Sequence, residues 1–259
     1  MQLAATVYGS ESPGPPLLIA HGLFGSARNW GAIAKRLALH RPVIAVDMRN
    51  HGDSPRSPRN DYPALAADLA ETIAGHGGRA DVLGHSMGGK AAMALALTEP
   101  SRVRRLIVAD MAPIAYGHSQ IEYVGAMQAL DLAALTRRSE ADAALAAAVP
   151  EPALRAFLLQ SLALSEGRAS WKLNLPVLAA EMPRIMGFPD FAGRFAGPTL
   201  FLTGAKSGDL SPDAWPRIRA LFPAAEHRAI PGAGHWLHAD APGPYIEAVS
   251  AFLGAPDAA

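Results

Sequence analysis

A serine flanked by glycines is the first feature of this sequence that could do chemistry. Residues 82–90 read Val-Leu-Gly-His-Ser-Met-Gly-Gly-Lys, with Ser86 midway between Gly84 and Gly88. An apolar run precedes this motif and an Ala- and Leu-rich run follows it, so the sequence predicts a strand, a sharp turn and a helix. In such a turn the serine hydroxyl stands clear of the backbone, and small flanking residues avoid a collision. Ser86 is therefore the candidate nucleophile.

A serine hydroxyl is a poor nucleophile at neutral pH and needs a base, which a further group must orient. His235 is the candidate base, because it lies in the sequence Pro-Gly-Ala-Gly-His-Trp (231–236) that follows the last predicted strand. A loop histidine taken alone is more often a surface residue than a catalytic one. The combination with Ser86, in this chain order and at a strand end, favours catalysis. His238 is close in sequence but falls on the next predicted helix.

Two aspartates satisfy the chain order Ser, Asp, His for the orienting acid. Asp110 directly follows a predicted strand, and strand ends are where sites form in open α/β sheets. Asp209 lies six residues beyond Thr203 and is typical of a solvated turn residue near the predicted helix N-cap Ser211. The residues favour Asp110 and leave Asp209 open, because geometry decides which acid orients the histidine.

Backbone amides near Ser86 could stabilise the negative charge that develops on a substrate oxygen. Met87 supplies one such amide at the predicted helix N-terminus. The loop His-Gly-Leu-Phe-Gly (21–25) after an early strand is predicted to supply the second, from Leu23. His21 itself is interpreted as a structural histidine that bonds to nearby loops.

The composition disfavours several other classes of function. The 259 residues carry a net charge of +0 and 50% are hydrophobic, which argues against a nucleic-acid surface and allows a large core. The absence of cysteine excludes disulfides and thiolate metal sites. The histidines match no metal-ligand spacing and no nucleotide-binding glycine motif occurs, so we expect no metal and no cofactor. The sequence has no visible signal peptide and no apolar run of about 20 residues, which predicts a cytoplasmic protein without a membrane span.

The elements that must position these residues alternate between strand and helix. Strands are predicted at 3–8, 17–20, 42–46, 80–83, 103–109, 199–203 and 227–230. Because helices separate most of them, the strands should pair in parallel through right-handed crossovers. The polar loop 47–54 is interpreted as a hydrogen-bonded structural loop and not as a metal or phosphate site. These features predict an α/β fold with a mostly parallel central sheet.

The alternation stops between residues 113 and 190, where no strand is predicted. Helices are predicted there at 121–135, 140–147, 152–164 and 171–185. We therefore expect a core made of residues 1–112 and 191–259, with residues 113–190 as a helical cap. Phe24, Trp171 and Trp236 are predicted to wall an apolar substrate pocket between the two.

These motifs together resemble the α/β-hydrolase superfamily over nearly the whole chain. The resemblance rests on His-Gly at 21–22, Asp-Met-Arg-Asn-His-Gly-Asp-Ser at 47–54, Gly-His-Ser-Met-Gly-Gly at 84–89 and Gly-Ala-Gly-His-Trp at 232–236. Further stretches at 21–30, 109–113, 171–176 and 234–239 are similar to small bacterial carboxylesterases of the YbfF type. The resemblance implies an α/β-hydrolase fold, and some esterases of this type also cleave acyl-CoA thioesters.

One position departs from the superfamily pattern. Much of the superfamily carries its acid in a Gly-x-x-Asp motif after the strand that corresponds to 199–203, whereas residues 204–207 read Gly-Ala-Lys-Ser here. The resemblance therefore implies that the acid is Asp110. Ser86 also disfavours haloalkane dehalogenase and epoxide hydrolase chemistry, for which enzymes of this fold use aspartate at that position.

The sequence thus predicts a serine hydrolase that cleaves carboxylic esters with short to medium acyl chains through an acyl-enzyme intermediate. Cleavage of acyl-CoA or another thioester by the same residues is the nearest alternative, and this fold also supports C–C bond hydrolysis and perhydrolysis. A non-catalytic ligand-binding protein is disfavoured, because a receptor gains nothing from an activated serine. The expected partner is a small-molecule ester or thioester.

Overall fold

A sheet of seven strands lies at the centre of the computed structural model, which describes residues 1–165 and 168–254. The strands of the sheet and of a separate hairpin are, in chain order, β1 (Ala5–Tyr8), β2 (Leu17–Ala20), β3 (Val43–Val46), β4 (Ala80–His85), β5 (Val103–Ala109), β6 (Leu162–Ser165), β7 (Arg168–Trp171), β8 (Thr199–Gly204) and β9 (Ala225–Ile230). The order in the sheet is β1-β3-β2-β4-β5-β8-β9. Edge strand β1 is antiparallel to β3 and the other pairs are parallel, so the predicted mostly parallel α/β sheet is confirmed.

Ten α-helices flank or follow these strands in the described residues. They are α1 (Gly31–Leu37), α2 (Tyr62–Ala74), α3 (Met87–Thr98), α4 (Ile121–Gln128), α5 (Arg138–Leu145), α6 (Pro152–Leu158), α7 (Leu175–Met186), α8 (Trp215–Leu221), α9 (Leu237–Asp240) and α10 (Pro242–Gly254). The start of α2 shows why the bounds lie where they do. The Asp61 side chain accepts a hydrogen bond from the Ala64 amide, and Pro63 occupies the first turn.

Two hydrophobic layers enclose the sheet, because successive residues of a strand point to opposite faces. In β4, Val82 packs in the layer that contains α2 and α3, and Leu83 packs in the layer that contains α1 and α10. Every residue of α3 from Met87 to Leu97 is buried. Its many alanines and glycines fit this position, since a helix enclosed on all sides has little room for large side chains.

The register of the parallel strands brings their carboxyl ends to a common edge, which we call the carboxyl edge. Ala20 at the end of β2 pairs with Gly84 in β4, and His85 at the end of β4 pairs with Ala109 at the end of β5. The residues that follow these strands therefore meet at one edge of the sheet, where α/β folds place their sites. Ser86 and Asp110 are two of those residues.

The prediction that residues 113–190, here called the insertion, contain no strand was wrong. Strands β6 and β7 form an antiparallel hairpin in which Leu162 pairs with Trp171. The helix predicted over 152–164 ends at Leu158 and continues only as a short 3-10 turn. Short apolar runs of this kind are compatible with either a strand or a buried helix, and only tertiary pairing decides between them.

The largest differences among the other helix bounds of the insertion are at the end of α4 and the start of α7. Helix α4 stops at Gln128 and not at residue 135. Helix α7 begins at Leu175 and not at residue 171, with Pro176 in its first turn. A proline at that position lacks an N–H that the helix does not need, so it begins the helix and does not break it. None of the described helices is both long enough and apolar enough to cross a lipid bilayer.

Candidate active site

Ser86 occupies a strained turn between β4 and α3. Its backbone has φ 53° and ψ −120°, a conformation that costs about 1–3 kcal/mol for a residue with a side chain. The turn is tight, because a Cβ added at Gly84 would lie 2.1 Å from the Gly88 carbonyl oxygen, and one added at Gly88 would lie 2.3 Å from the Ala20 carbonyl oxygen. The Ser86 amide donates to the Ala109 carbonyl at 3.1 Å and so ties the turn to β5.

The positive-φ residues other than glycine cluster near the same edge. They are Phe24, Asn50, Ser86 and Asp110, with φ values of 65°, 64°, 53° and 52°. Each lies in the segment that follows one of the strands β2, β3, β4 or β5. Strain of this kind persists where the surrounding structure over-determines the backbone, and it is common at functional sites.

The His235 imidazole lies between two carboxylates. Its Nδ1 is 2.8 Å from Asp110 Oδ2 and 2.7 Å from Asp209 Oδ2. The His85 Nε2–H donates to the His235 carbonyl at 2.9 Å and holds this part of the loop. The structure thus brings both aspartates that the sequence left open to one ring nitrogen, and the interpretation of Asp209 as a solvated turn residue was wrong.

Asp110 is the more rigidly held of the two carboxylates. It is completely buried; its Oδ1 accepts from the Gly204 amide at 3.1 Å and its Oδ2 from the Ser207 hydroxyl at 2.5 Å. Its own amide donates to the Leu202 carbonyl at 2.7 Å. Sequence reasoning noted Ser207 only as a departure from the superfamily motif and did not identify its hydroxyl as a partner of the acid.

Opposing effects act on the pKa of His235. Burial by itself lowers the pKa, because it disfavours the charged ring, but the hydrogen bonds to Asp110 and Asp209 outweigh burial and raise the pKa to about 9. For Asp209, burial alone raises the pKa of the carboxyl, but its contact with His235 lowers that pKa overall. The arrangement therefore stabilises an imidazolium between carboxylates.

Leu23, Ser86 and Met87 all line one cavity. Met87 is the first residue of α3, so its amide has no partner within the helix. The adjacent amide of Phe24 is occupied, since it donates to His51 Nε2 at 3.2 Å. Within residues 1–165 and 168–254 no acceptor binds the Leu23 amide, which leaves it available to a substrate oxygen.

Two buried histidines support the loop that carries Leu23. His21 accepts from the Met48 amide at 2.9 Å through Nε2, and its Nδ1–H donates to the Gly22 carbonyl at 2.7 Å. His51 accepts from Phe24 and donates through Nδ1–H to the Arg49 carbonyl at 2.8 Å. Burial lowers the pKa of His21 to about 4 and that of His51 to about 3, so both rings are neutral supports at physiological pH.

A cavity of about 940 Å³ opens above Ser86 between the carboxyl edge and the insertion. Phe24 and Trp236 line it, in agreement with their predicted positions. Trp171 is not among the described residues that line it. Its indole lies in β7, is buried and donates to the Met127 carbonyl at 3.0 Å, so it packs inside the insertion. The predicted role of Trp171 as a pocket wall does not fit this position.

Lys90 is a cavity residue that sequence reasoning missed. Its Nζ is buried, donates to the carbonyls of Met186 and Gly187 at 2.9 and 2.7 Å, and lies 4.6 Å above the Tyr116 ring. Burial lowers the pKa of this amine to about 7. A single lysine in an otherwise apolar helix was the signal available in the sequence. Lys90 links α3, which begins beside the nucleophile, to the end of α7.

The side chains Asp110, Asp209 and His235 also form a group that could hold a metal ion, since their ligand atoms lie within 4.8 Å of one another. The same atoms already bond to each other. A metal ion at His235 Nδ1 would have to displace the proton that this nitrogen donates to Asp110.

The family described as alpha/beta hydrolase fold matches residues 15–242. The chain belongs to the α/β-hydrolase family. The predicted superfamily and its fold are therefore confirmed.

Individual α/β-hydrolases match this chain over almost its full length. The esterase YbfF of Escherichia coli (strain K12) is 36% identical over 98% of this chain and 98% of its own. The sn-1-specific diacylglycerol lipase ABHD11 of Mus musculus is 40% identical over 98% of this chain and 85% of its own. A solved structure described as a marine microorganism esterase is 35% identical, with a TM-score of 0.92 over 97% of this chain and 99% of that chain. The resemblance to YbfF-type esterases is confirmed.

Proposed function

We propose that this protein is a serine carboxylesterase in which Ser86 is the nucleophile, His235 the base and Asp110 the acid that orients it. The observation that carries the proposal is the 2.8 Å hydrogen bond between His235 Nδ1 and Asp110 Oδ2. His235 and the strained Ser86 line the same cavity. The relatives named as esterase and lipase support ester hydrolysis. No cofactor is required for this chemistry.

Acylation begins when Ser86 Oγ attacks the acyl carbonyl carbon of the ester. In the neutral form of the His235 ring the one proton lies on Nδ1, bound to Asp110, so the other ring nitrogen can take the proton from Oγ. The carbonyl oxygen becomes an oxyanion that accepts hydrogen bonds from the Leu23 and Met87 amides. When the tetrahedral intermediate collapses, the carbon–oxygen bond to the alcohol breaks, and the alcohol leaves with the proton from His235.

Deacylation repeats these steps with water. His235 takes a proton from the water as its oxygen attacks the acyl-serine ester, and the same amides hold the second oxyanion. Collapse releases the carboxylic acid and returns the proton to Ser86 Oγ. Both half-reactions need a neutral imidazole. Because the pKa of His235 is raised to about 9, kcat/KM should increase with pH until the ring is deprotonated near that pH.

The insertion acts as a cap that selects the acyl group. Residues from its helices line the cavity together with residues of the core, among them Tyr123 from α4 and Phe157 from α6. The cavity of about 940 Å³ lies within the range of about 300–1,000 Å³ for small-molecule sites, so it can hold the acyl and alcohol parts of a small ester.

The test is labelling and turnover with Ser86→Ala. Wild-type protein should hydrolyse p-nitrophenyl butyrate and react with a fluorophosphonate at Ser86. Ser86→Ala should lose about 10⁴-fold or more in kcat and lose the label. Ser10→Ala removes a hydroxyl from an exposed turn and should behave as wild type. Labelling at another residue, or unchanged turnover in Ser86→Ala, would contradict the proposal.

A panel of p-nitrophenyl esters and acyl-CoA thioesters of matched chain length defines the substrate class. The proposal predicts higher kcat/KM for esters, with a maximum at short to medium acyl chains. Higher kcat/KM for acyl-CoA would assign the same residues to a thioesterase.

A further inference from the structure

Two carboxylates, rather than one, meet the same nitrogen of His235. The Nδ1 atom lies 2.8 Å from Asp110 Oδ2 and 2.7 Å from Asp209 Oδ2. A neutral imidazole carries one proton at this position and can donate it to one carboxylate at a time. We propose that Asp209 is a second orienting carboxylate of His235, which shares the Nδ1 position with Asp110. The inference rests on the proposed role of His235 as the base.

The two carboxylates differ in their surroundings. The Asp110 side chain is 0% exposed and lies behind the imidazole, at the end of β5. The Asp209 side chain is 23% exposed and lines the cavity. Asp110 is therefore the fixed partner of the ring, whereas Asp209 is the partner that solvent and substrate can reach.

The position of Asp209 is held from two sides. The Asp209 amide donates to Ser207 Oγ at 3.3 Å. The Ser207 hydroxyl gives its one proton to Asp110 Oδ2 at 2.5 Å, which leaves the Asp209 carboxylate to the imidazole. The Tyr116 hydroxyl donates to the Asp209 carbonyl at 2.6 Å and accepts from the Ala112 amide at 2.9 Å. Tyr116 belongs to the insertion, which thereby fixes the backbone that carries the second carboxylate.

The charges around the ring favour its protonated form. An imidazolium between Asp110 and Asp209 balances one of two negative charges, whereas a neutral ring leaves both uncompensated at short range. This accounts for a pKa of His235 near 9 despite the burial that opposes it. Removal of the Asp209 charge should lower that pKa.

The other titratable groups near this pair do not supply the same effect. Burial holds the pKa of His85 well below its usual value and that of His238 at about 4, so both rings are neutral at the pH of the reaction. The Asp240 carboxylate accepts from the Gly234 amide at 2.8 Å. On the insertion side, His118 adds to the effect of His235 in lowering the pKa of the Asp209 carboxyl.

Asp209→Asn tests the proposal through the pH dependence of kcat/KM. The amide keeps the shape and an acceptor oxygen but removes the charge. We expect the acid limb of the profile for p-nitrophenyl butyrate to move to lower pH by about one unit or more, with a smaller loss at the plateau. Asp213→Asn removes the same charge from an exposed position four residues later, and its limb should coincide with that of wild type. An acid limb that is unchanged in Asp209→Asn would overturn the proposal.

The pKa of the His235 ring can be measured by NMR without turnover, so the role of Asp209 can be tested independently of the proposed function. In Ser86→Ala, the NMR titration of the His235 ring should show a lower pKa when Asp209→Asn is added, and a smaller shift in the same direction with Tyr116→Phe. If Ser86→Ala kept full activity, the proposed function would fail while this titration still reported on Asp209. An unchanged ring pKa in both variants would reject the second carboxylate whatever the activity.

The shared role also predicts how the two acids combine. With Asp209 present, Asp110→Asn should lose less than the roughly 10⁴-fold expected when the only orienting carboxylate is removed. The double variant Asp110→Asn/Asp209→Asn should lose at least about ten-fold more than Asp110→Asn alone. Equal rates for these two variants would show that Asp209 does not orient His235.

Discussion

The carboxyl edge of the sheet and the insertion face each other across the cavity, but they are held in place differently. At the carboxyl edge, parallel strands fix the backbone on both sides of Ser86. The turn that carries it has no spare room, because a Cβ on Gly84 would lie 2.1 Å from the Gly88 carbonyl oxygen. The backbone of the turn therefore fixes the position of Ser86, and substitutions that shift this backbone also disturb the fold.

The insertion consists of short helices and one hairpin, and side chains of the core hold its last helix. The Tyr62 hydroxyl donates to the Ile185 carbonyl at 2.5 Å, and Lys90 Nζ donates to the next two carbonyls of the same helix end. Helix α4 in this region contains the exposed Gly125, around which a Cβ would meet nothing within 4 Å. This position of the insertion therefore has room for a side chain that Gly84 lacks.

In the proposed function, residues at the carboxyl edge carry out the reaction and residues of the insertion help to select the substrate. In the proposed reaction, Ser86 and Asp110 directly follow strands β4 and β5, and small displacements there would cost the reaction much of its rate. Side chains of the insertion, among them Tyr123 and Phe157, form part of the cavity wall. Substitutions in the insertion should therefore change KM and substrate preference before they change the chemical step.

One added methyl group in each region tests whether the two differ in their tolerance of change. Gly84→Ala should lower the free energy of unfolding by at least about 3 kcal/mol or prevent folding, because the new Cβ collides with backbone. Gly125→Ala should raise the free energy of unfolding by about 0.5–1 kcal/mol, because alanine is more favourable than glycine at an exposed helix position. Chemical denaturation of both variants measures the difference. Similar effects in the two would show that the regions are equally tolerant.

Lys90→Met tests the link between the regions. Loss of two hydrogen bonds to the end of α7 should cost about 1–3 kcal/mol of stability and raise KM more than it lowers kcat. Lys35→Met, at an exposed position of α1, is the matched control and should change neither quantity. A fall in kcat at constant KM would place Lys90 in the chemical step and not in the attachment of the insertion.

Phe157→Ala should give the smallest effect. Its ring lines the cavity and lies 5.4 Å from the Trp236 ring, so truncation should raise KM for medium-chain esters about three- to ten-fold with little change in kcat. Phe191→Ala removes a ring with a similar aromatic neighbour at 5.4 Å but outside the cavity lining. Steady-state kinetics should show no KM change for Phe191→Ala, and an equal change in both would deny Phe157 a role in acyl binding.

Much of the carboxyl edge was predictable because its signals are local. The pattern Gly-x-Ser-x-Gly encodes a turn within five residues, and the apolar runs of β2, β4, β5 and β8 give their strands directly. The insertion was predicted less well. Its hairpin depends on the pairing of Leu162 with Trp171, and neither segment alone reveals that pairing.

The family, the seven strands of the sheet and the candidates Ser86, His235 and Asp110 could be predicted from the sequence, since each follows from a motif or a strand end. Three contacts became visible only in the folded chain. Asp209 contacts the same imidazole nitrogen as Asp110, Lys90 binds the end of α7, and Trp171 packs away from the cavity. These contacts join residues far apart in the chain, and their geometry depends on how the loops and the insertion pack. Local sequence signals do not contain that information.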